Sequence, residues 1–221
     1  MLKVQRRMDQ AICSLINEPF YGGGLQTATI PQSSSLLPPL PGEPAVLVSF
    51  LPDNGSAVEQ TVDGSRINRQ SARFVANLAT EYLSKDSDAV VGIIAPYRGQ
   101  VTCIRRLLRE RSLPPDQTKR LRLGTVHAFQ GSEADIIIWD LVDTRNHKIG
   151  RLYLQDTGER LANVAISRAR GKLVIVGDPD AFFLAPGKES VGKFRNILAI
   201  HFHSNSPKVV AMQEALQHEG G

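Results

Sequence analysis

The sequence predicts one α/β domain in which helices cover both faces of a doubly wound, mostly parallel sheet. Short runs rich in Val, Ile and Leu alternate with amphipathic stretches. The runs are apolar almost throughout, which is typical of strands buried on both faces of a parallel sheet. The 221 residues suffice for one domain of ordinary size. We expect this domain at residues 1–200 and a partly flexible tail at residues 201–221.

The elements are predicted in the following order. A short amphipathic helix at Asp9–Asn17, capped by Asp9, precedes a turn of three glycines and an irregular Pro- and Ser-rich loop at residues 26–44. Five β-branched runs predict strands, at Val46–Leu51, Val90–Ala95, Leu121–Val126, Asp135–Val142 and Leu173–Val176. Amphipathic stretches predict three longer helices, at Arg66–Leu83, Gly99–Arg111 and Glu159–Arg170, the last with Gly171 as its C-cap.

The composition excludes several classes of protein. Apolar residues make up 42% of the chain and its net charge is +4, so disorder does not describe the whole chain. We expect no membrane span, because no window approaches about 18 uninterrupted apolar residues, and the N-terminus lacks the apolar segment of a secretory signal. Cys13 and Cys103 lie far apart without metal-type spacing, which favours a cytoplasmic protein with reduced thiols.

Positive charge is concentrated in one stretch of the chain. Between Arg98 and Arg122 there are eight basic and two acidic residues, a net charge of +6, so the remainder sums to −2. Such a basic surface is typical of a protein that binds a phosphate-bearing partner. A solvated helix face gives the same pattern, and charge alone does not separate the two interpretations.

The sequence lacks the motifs of a self-sufficient nucleotide hydrolase. It contains neither a G-x-x-x-x-G-K-[ST] phosphate loop nor a G-x-G-x-x-G dinucleotide fingerprint. The run Ile136–Asp140 resembles a Mg²⁺-binding strand end. Without a phosphate loop, however, Asp140 is expected to be a surface residue at the end of its strand. No metal site is predicted.

Three segments carry residues suited to phosphate or nucleic-acid chemistry, and each is expected beyond the carboxyl end of a strand. In residues 94–100, a proline turn leads into a helix N-terminus with free amides. In residues 124–133, Thr125 supplies a hydroxyl, Gly131 allows close backbone approach, and Glu133 supplies a carboxylate. In residues 161–170, Arg168 falls on the apolar stripe of a predicted helix, where it needs an anionic partner or an exit to solvent near the helix end.

In this order, the three segments resemble motifs IV, V and VI of superfamily 1 helicases. Gln5-Arg6-Arg7-Met8, followed by F-Y-G-G-G-L at residues 20–25, resembles the family's Q-Y-R-M … F-Y-x-G-x-L segment, and residues 65–69 resemble its S-x-x-N-x region. The similarity runs from residue 2 to about residue 179 and is greatest to the branch of the nonsense-mediated-decay helicase and its DNA-directed relatives. It implies the second of two RecA-like domains that bind ATP between them, which accounts for the missing phosphate loop.

The resemblance also implies roles at a site for ATP with Mg²⁺, in which the N-terminal RecA-like domain holds the metal. Arg7 and Arg168 are expected to point at the γ-phosphate, with Arg168 as the arginine finger. Gly131, next to Gln130, is expected to present its backbone to the phosphates, and Glu133 to accept from the ribose hydroxyls. Cofactor-binding roles are therefore expected for Gln130, Gly131, Glu133 and Arg6, the last standing where the family has an adenine-stacking tyrosine.

Single-stranded DNA or RNA is the second partner that the resemblance implies. The expected contacts are Thr125 and the Tyr97–Gln100 turn, with Tyr97, Arg98 and Gln100, and in the basic stretch also Lys119. The predicted function is therefore the C-terminal motor domain of an ATP-dependent helicase, inactive without its N-terminal partner domain. A non-catalytic nucleic-acid-binding or scaffold module with the same fold is the alternative. The missing phosphate loop disfavours a stand-alone NTPase.

Overall fold

The computed structural model describes residues 4–28, 45–50, 58–178 and 181. Most of the predicted loop at 26–44 and the whole of the predicted tail at 201–221 lie outside the described residues. The described elements, in chain order, are β1 (Val4–Gln5), α1 (Gln10–Tyr21), β2 (Gln26–Thr27), β3 (Val46–Phe50), β4 (Val58–Gln60), β5 (Arg66–Asn68), α2 (Arg69–Lys85), β6 (Val91–Ala95), α3 (Arg98–Glu110), α4 (Pro115–Arg120), β7 (Leu121–Thr125), β8 (Ala134–Asp140), α5 (Gln155–Ile166) and β9 (Ala169–Gly177). Single 3₁₀ turns lie at His127–Phe129 and Arg151–Tyr153.

The main sheet has five strands in the order β3-β9-β8-β6-β7, and every neighbouring pair is parallel. Outside it, β1 pairs with β2 in parallel, and β4 and β5 form an antiparallel hairpin. Each connection between parallel strands crosses over through a helix or a long loop, as parallel pairing requires. The predicted doubly wound, parallel α/β fold is confirmed.

Helices cover both faces of this sheet, and strand β8 shows how. Ile137 and Trp139 point to the face that packs against α1 and α5. Ile136 and Ile138 point to the opposite face, which packs against α2 and α3. Because both faces are covered, the strand is apolar without alternation, which is the pattern that predicted it.

Local capping determines where the helices begin and end. Asp9 caps α1 as predicted, since its carboxylate accepts from the amide of Ala11 at 2.7 Å. The helix continues beyond Asn17 to Tyr21, and its C-cap is Gly22, whose φ of +58° suits glycine. Helix α2 begins at Arg69, later than predicted, because residues 66–68 pair with β4 and Asn68 caps the helix.

The predicted end of α5 is wrong. The helix stops at Ile166 and β9 begins at Ala169, so Gly171 lies in a strand and is not a C-cap. Arg168 therefore lies in the turn between helix and strand, not on a helical apolar stripe. Pairing of β9 with β8 causes this early end, because Ala169 is already paired with Ala134.

Since all strands of the main sheet are parallel, they begin at one edge and end at the other. Strands β6, β7 and β8 end side by side at Ala95, Thr125 and Asp140, which we call the carboxyl edge. Strands β8 and β9 begin at Ala134 and Ala169, at the amino edge. About six residues of strand, or roughly 20 Å, separate the two edges.

Candidate functional site

The site residues predicted from the sequence fall into two groups at opposite edges of the sheet. Thr125 and the Tyr97–Gln100 turn lie at the carboxyl edge, as expected. Glu133 and Arg168 directly precede β8 and β9, so they lie at the amino edge. The expected place beyond the carboxyl end of a strand is therefore wrong for Glu133 and Arg168, although the segment that contains Glu133 does begin at the end of β7. The loop at residues 126–133 runs from one edge to the other.

At the amino edge, an open cleft of about 510 Å³ brings several predicted residues together. It is lined by Gln5, Arg6, Arg7, Met8, Tyr21, Leu25, Glu133, Ser167, Arg168 and Arg170. Four arginines thus face one glutamate in this lining. Such an excess of positive charge fits an anionic ligand.

Arg7 and Arg168 converge on Ser167. The Arg7 NH1 donates to the Ser167 carbonyl oxygen at 3.4 Å, and the Arg168 NH2 donates to the Ser167 hydroxyl at 3.2 Å. The Arg7 Nε lies 2.7 Å from Oε2 of Glu133. Arg168 has no ion pair with any residue in the described part of the chain. It donates only to neutral oxygens, including the Val164 carbonyl at 3.1 Å.

The environment of Arg168 in this cleft lowers the pKa of its guanidinium. Partial burial lowers its pKa, and the neighbouring positive charge of Arg7 lowers it further, while Glu133 opposes the change. An additional anion would therefore stabilise the charged form. The hydrogen bond to Val164 also caps the carboxyl end of α5, so Arg168 combines a local capping contact with its place in the cleft.

Glu133 is shared between two arginines, one of which the sequence analysis missed. Its Oε1 lies 3.9 Å from the Nε of Arg170, whose NH1 lies 3.3 Å from the Asp135 carboxylate. The signal in the sequence is the spacing of Arg168 and Arg170, because Arg168 directly precedes β9 and residues two apart along an extended chain share a face. Glu133 remains 42% exposed, which leaves its carboxylate accessible to a ligand.

The other predicted nucleotide contacts are only partly brought to this cleft. Arg6 is exposed and lines it. Gln130 is exposed but lines a neighbouring depression against α5. Gly131 has a φ of +82°, and nothing lies within 4 Å of the position that a Cβ would take, so its backbone is open to close approach.

At the carboxyl edge, the side chain of Gln100 points inward. It is fully buried, and its amide donates to the Asp140 carboxylate at 2.6 Å. It also accepts from the Asn68 amide at 2.8 Å and donates to the Asn68 carbonyl oxygen at 3.0 Å. The predicted direct contact of Gln100 with nucleic acid does not fit this structure, because all of these polar atoms have buried partners.

Asp140 is fully buried, so its predicted place at the surface is wrong. Its carboxylate accepts from the hydroxyl of Ser71, from the amide of Val142 at 3.1 Å and from Gln100. Burial raises the pKa of Asp140 to about 6, although these hydrogen bonds act to lower it. Asp140 therefore links α2, α3 and the chain that follows β8 through buried hydrogen bonds.

A second buried carboxylate, Asp143, was missed by the sequence analysis together with its partner Arg66. The Arg66 NH1 lies 2.7 Å from Oδ1 of Asp143, and its guanidinium lies 5.8 Å from the centre of the Tyr97 ring. Oδ2 of Asp143 accepts from the Tyr97 hydroxyl at 2.9 Å. Burial and the charge of Asp143 raise the pKa of Tyr97. The available signal was a second acidic residue shortly after the apolar run of β8.

In the Tyr97–Gln100 turn, Arg98 is thus the exposed basic side chain, and Thr125 lies half-buried at the end of β7, where it pairs with Ala95 of β6. The hydroxyl of Tyr97 is already used by Asp143, so the predicted contact of Tyr97 with nucleic acid through that group does not fit either.

Much of the basic stretch serves the fold. Arg120 donates to three carbonyl oxygens at and beyond the end of α2, at 2.9 to 3.1 Å. Arg111 and Arg122 also donate to backbone carbonyl oxygens, of Leu107 and Glu133. Lys119 lies in α4, which directly precedes β7. It is therefore at the opposite edge from Arg98, and the two residues do not form one surface.

Among the residues that the structure describes, no three His, Cys, Asp or Glu side chains are grouped as metal ligands. Cys13 and Cys103 are both free and buried. No helix in the described ranges is long and apolar enough to cross a bilayer.

Comparisons with known proteins agree on one family. The AAA domain family matches residues 1–180. The chain is 32% identical over 192 residues to a protein of Arabidopsis thaliana named regulator of nonsense transcripts 1 homolog. It is 30% identical over 195 residues to the DNA polymerase alpha-associated DNA helicase A of Saccharomyces cerevisiae. It is 28% identical over 246 residues to the DNA replication ATP-dependent helicase/nuclease DNA2 of Bos taurus.

These matches cover 84%, 80% and 99% of this chain but only 15%, 27% and 21% of the relatives. The solved C-terminal domain of a possible DNA helicase from Lactobacillus plantarum matches over 79% of this chain and 88% of its own, with 15% identity and a TM-score of 0.45. The assignment rests on the sequence matches and on the agreement of the predicted and observed fold. The chain belongs to the AAA domain family and is a superfamily 1 helicase domain.

Proposed function

We propose that this chain is the C-terminal motor domain of an ATP-dependent helicase. In this proposal it supplies the arginine side of an ATP site that it shares with an N-terminal RecA-like domain. The observation that carries the proposal is the amino-edge cleft, where Arg7 and Arg168 converge on Ser167 and Glu133 offsets only part of their charge. The names of the relatives, which include a DNA helicase and a helicase/nuclease, support the same activity.

The side chains of the cleft fit a nucleoside triphosphate. ATP would supply the transferred phosphoryl group, and we assign the accompanying Mg²⁺ to the N-terminal domain. Arg168, which no described carboxylate neutralises, would stabilise negative charge on the γ-phosphate, and Arg7 would bind the same phosphate. Glu133 would accept from the ribose hydroxyls. Arg6, Gln130 and Gly131 would complete the contacts to the base and phosphates.

Single-stranded nucleic acid is proposed at the carboxyl edge, where Arg98 and Thr125 are the predicted contacts whose side chains remain accessible. A non-catalytic nucleic-acid-binding module would not need two arginines, Arg7 and Arg168, placed to bind the γ-phosphate of ATP. The loop at residues 126–133 joins the two edges, with Thr125 before it and Glu133 at its end. This loop therefore connects the proposed nucleic-acid site directly to the proposed ATP site.

The test is the ATP turnover of the full-length protein that carries this domain, with Arg168→Ala. We expect a loss of about 10³-fold or more, as for other arginine fingers. Arg168→Lys should recover little, because an ammonium lacks the planar fork of a guanidinium. Arg105→Ala, an exposed residue of α3, is the control and should turn over ATP normally.

Two results would contradict the proposal. Near-normal turnover by Arg168→Ala, with unchanged affinity for nucleic acid in the absence of nucleotide, would reduce Arg168 to its capping contact with Val164. We also expect no ATP turnover by the isolated 221-residue chain. Turnover by that chain, if lost on Arg168→Ala, would overturn the shared site.

A further inference from the structure

The Tyr97–Gln100 turn, which comprises the N-cap and the first three residues of α3, is held by hydrogen bonds to side chains of other segments at three of its four residues. The hydroxyl of Tyr97 donates to Asp143 at 2.9 Å, the amide of Gly99 donates to a serine hydroxyl of the preceding segment at 2.9 Å, and Gln100 donates to Asp140 at 2.6 Å. Arg98 is the remaining residue, and it is exposed. The turn therefore presents one basic side chain from an otherwise immobilised backbone.

Asp143 is the centre of one of these anchors. Its side chain is fully buried, and an unpaired carboxylate would be costly there. Arg66, whose side chain is 17% exposed, supplies the opposite charge at 2.7 Å. The second oxygen of Asp143 accepts from Tyr97 and, at 2.7 Å, from the amide of Gly150. Arg66 also donates to the carbonyl oxygen of Lys148 at 2.7 Å.

The backbone before Asp143 is strained in a way that directs this side chain. Val142 has a φ of +67°, a left-handed conformation that a β-branched residue rarely adopts. The amide of Asp143 donates back to the Leu141 carbonyl oxygen at 2.7 Å, which closes a three-residue turn. Asp140 accepts from the Val142 amide at 3.1 Å, and Asn68 donates to the Val142 carbonyl oxygen at 3.1 Å. Conformations of this kind persist where surrounding contacts hold them, and they concentrate at functional sites.

We propose that Asp143, charge-balanced by Arg66, is a positioning residue that fixes the Tyr97–Gln100 turn for contact between Arg98 and a nucleic-acid phosphate. The proposal rests on the proposed function, in which nucleic acid binds at the carboxyl edge. Its physical basis is that a turn already held in its binding conformation loses less conformational freedom when a ligand binds. Asp143 and Arg66 themselves make no contact with the nucleic acid.

The test compares four variants of this chain by the fluorescence anisotropy of a labelled oligothymidylate over a range of salt concentrations. Tyr97→Phe keeps the ring and removes only the hydroxyl that Asp143 holds. We expect its Kd to rise about two- to tenfold, the range for one side chain that must be ordered on binding. The slope of log K against log salt should stay that of the wild type, because no phosphate contact is lost.

Two further variants serve as comparisons. One removes the proposed phosphate contact itself, and the other removes a hydroxyl elsewhere in the fold. Arg98→Ala should weaken binding and flatten the salt slope by about one unit. Thr80→Val is the control, since it also removes one hydroxyl, and the Thr80 hydroxyl donates to the Ala76 carbonyl oxygen at 2.9 Å within α2, away from Asp143 and the Tyr97–Gln100 turn. Its Kd should equal that of the wild type.

The outcomes distinguish the inference from the proposed function. Wild-type Kd in Tyr97→Phe would overturn the positioning role, and so would a flattened salt slope in that variant, which would mean direct contact. Asp143→Asn should weaken binding at least as much as Tyr97→Phe, and if it does not fold, Tyr97→Phe decides. Absence of salt-dependent binding by the wild-type chain would overturn the proposed nucleic-acid edge, and this inference with it.

Discussion

Ionisation of Asp140 should make the folded protein less stable as the pH rises from about 4 to about 6. Burial raises the pKa of Asp140 from 3.8 to about 6 in the folded state. The unfolded chain therefore releases this proton at lower pH than the folded chain does. Between the two pKa values the folded state binds more protons, so its stability falls with rising pH. The stabilising contribution is complete below about pH 4 and is lost once the pH has passed through 6.

The size of the effect follows from the shift of about two pKa units. At about 1.4 kcal/mol per unit, full ionisation costs about 3 kcal/mol of the free energy of unfolding. About 2 kcal/mol of this loss falls between pH 4.5 and pH 7.5. The residue is fully buried, so solvent does not screen the effect as it would at the surface.

Urea unfolding measures this loss directly, because Trp139 is the only tryptophan of the chain and is buried beside Asp140. Asp140→Asn is the reference variant, since its amide does not titrate. We expect it to be less stable than the wild type at pH 4.5, because either orientation of the amide sets an N–H against the N–H of Gln100 or of Val142. The difference in the free energy of unfolding should shrink by about 2 kcal/mol at pH 7.5. A constant difference across this range would refute the buried, titrating carboxyl.

Two other predictions test packing and charge. In β6, a Cβ added at Gly92 would lie 2.6 Å from Ile137 Cδ1 and 3.2 Å from Ala134 Cβ, so Gly92→Ala should destabilise the fold by about 1–3 kcal/mol in urea unfolding. A variant as stable as the wild type would show that the sheet makes room at no cost. In oligonucleotide titrations, Arg98→Ala should lower the salt slope by about one unit, while Lys119→Ala, at the other edge of the sheet, should leave it unchanged. Equal effects of both substitutions would mean that the basic residues act through their summed charge and that Arg98 makes no particular phosphate contact.

The amino-acid sequence was enough to predict the five strands of the main sheet, four of the five described helices and the family. Strand β8 was predictable because both faces are buried, which makes its residues apolar in an unbroken run. The start of α1 was predictable because Asp9 caps it through a hydrogen bond that spans only two residues. Arg7, Glu133 and Arg168 were identified by their places in motifs, and the structure brings all three to one cleft.

The places of polar side chains depended on the tertiary structure. Arg66 and Asp143 are 77 residues apart, and Tyr97 and Asp143 are 46 apart, so no local pattern pairs them. The edge at which Arg168 lies depended on how far β9 pairs with β8, which also ended α5 early. Apolar periodicity and caps are short-range properties that a sequence shows directly. The partners of a buried carboxylate or guanidinium are determined only when distant strands come together, and this is why the turn that holds Arg98 could be located from the sequence but not its anchors.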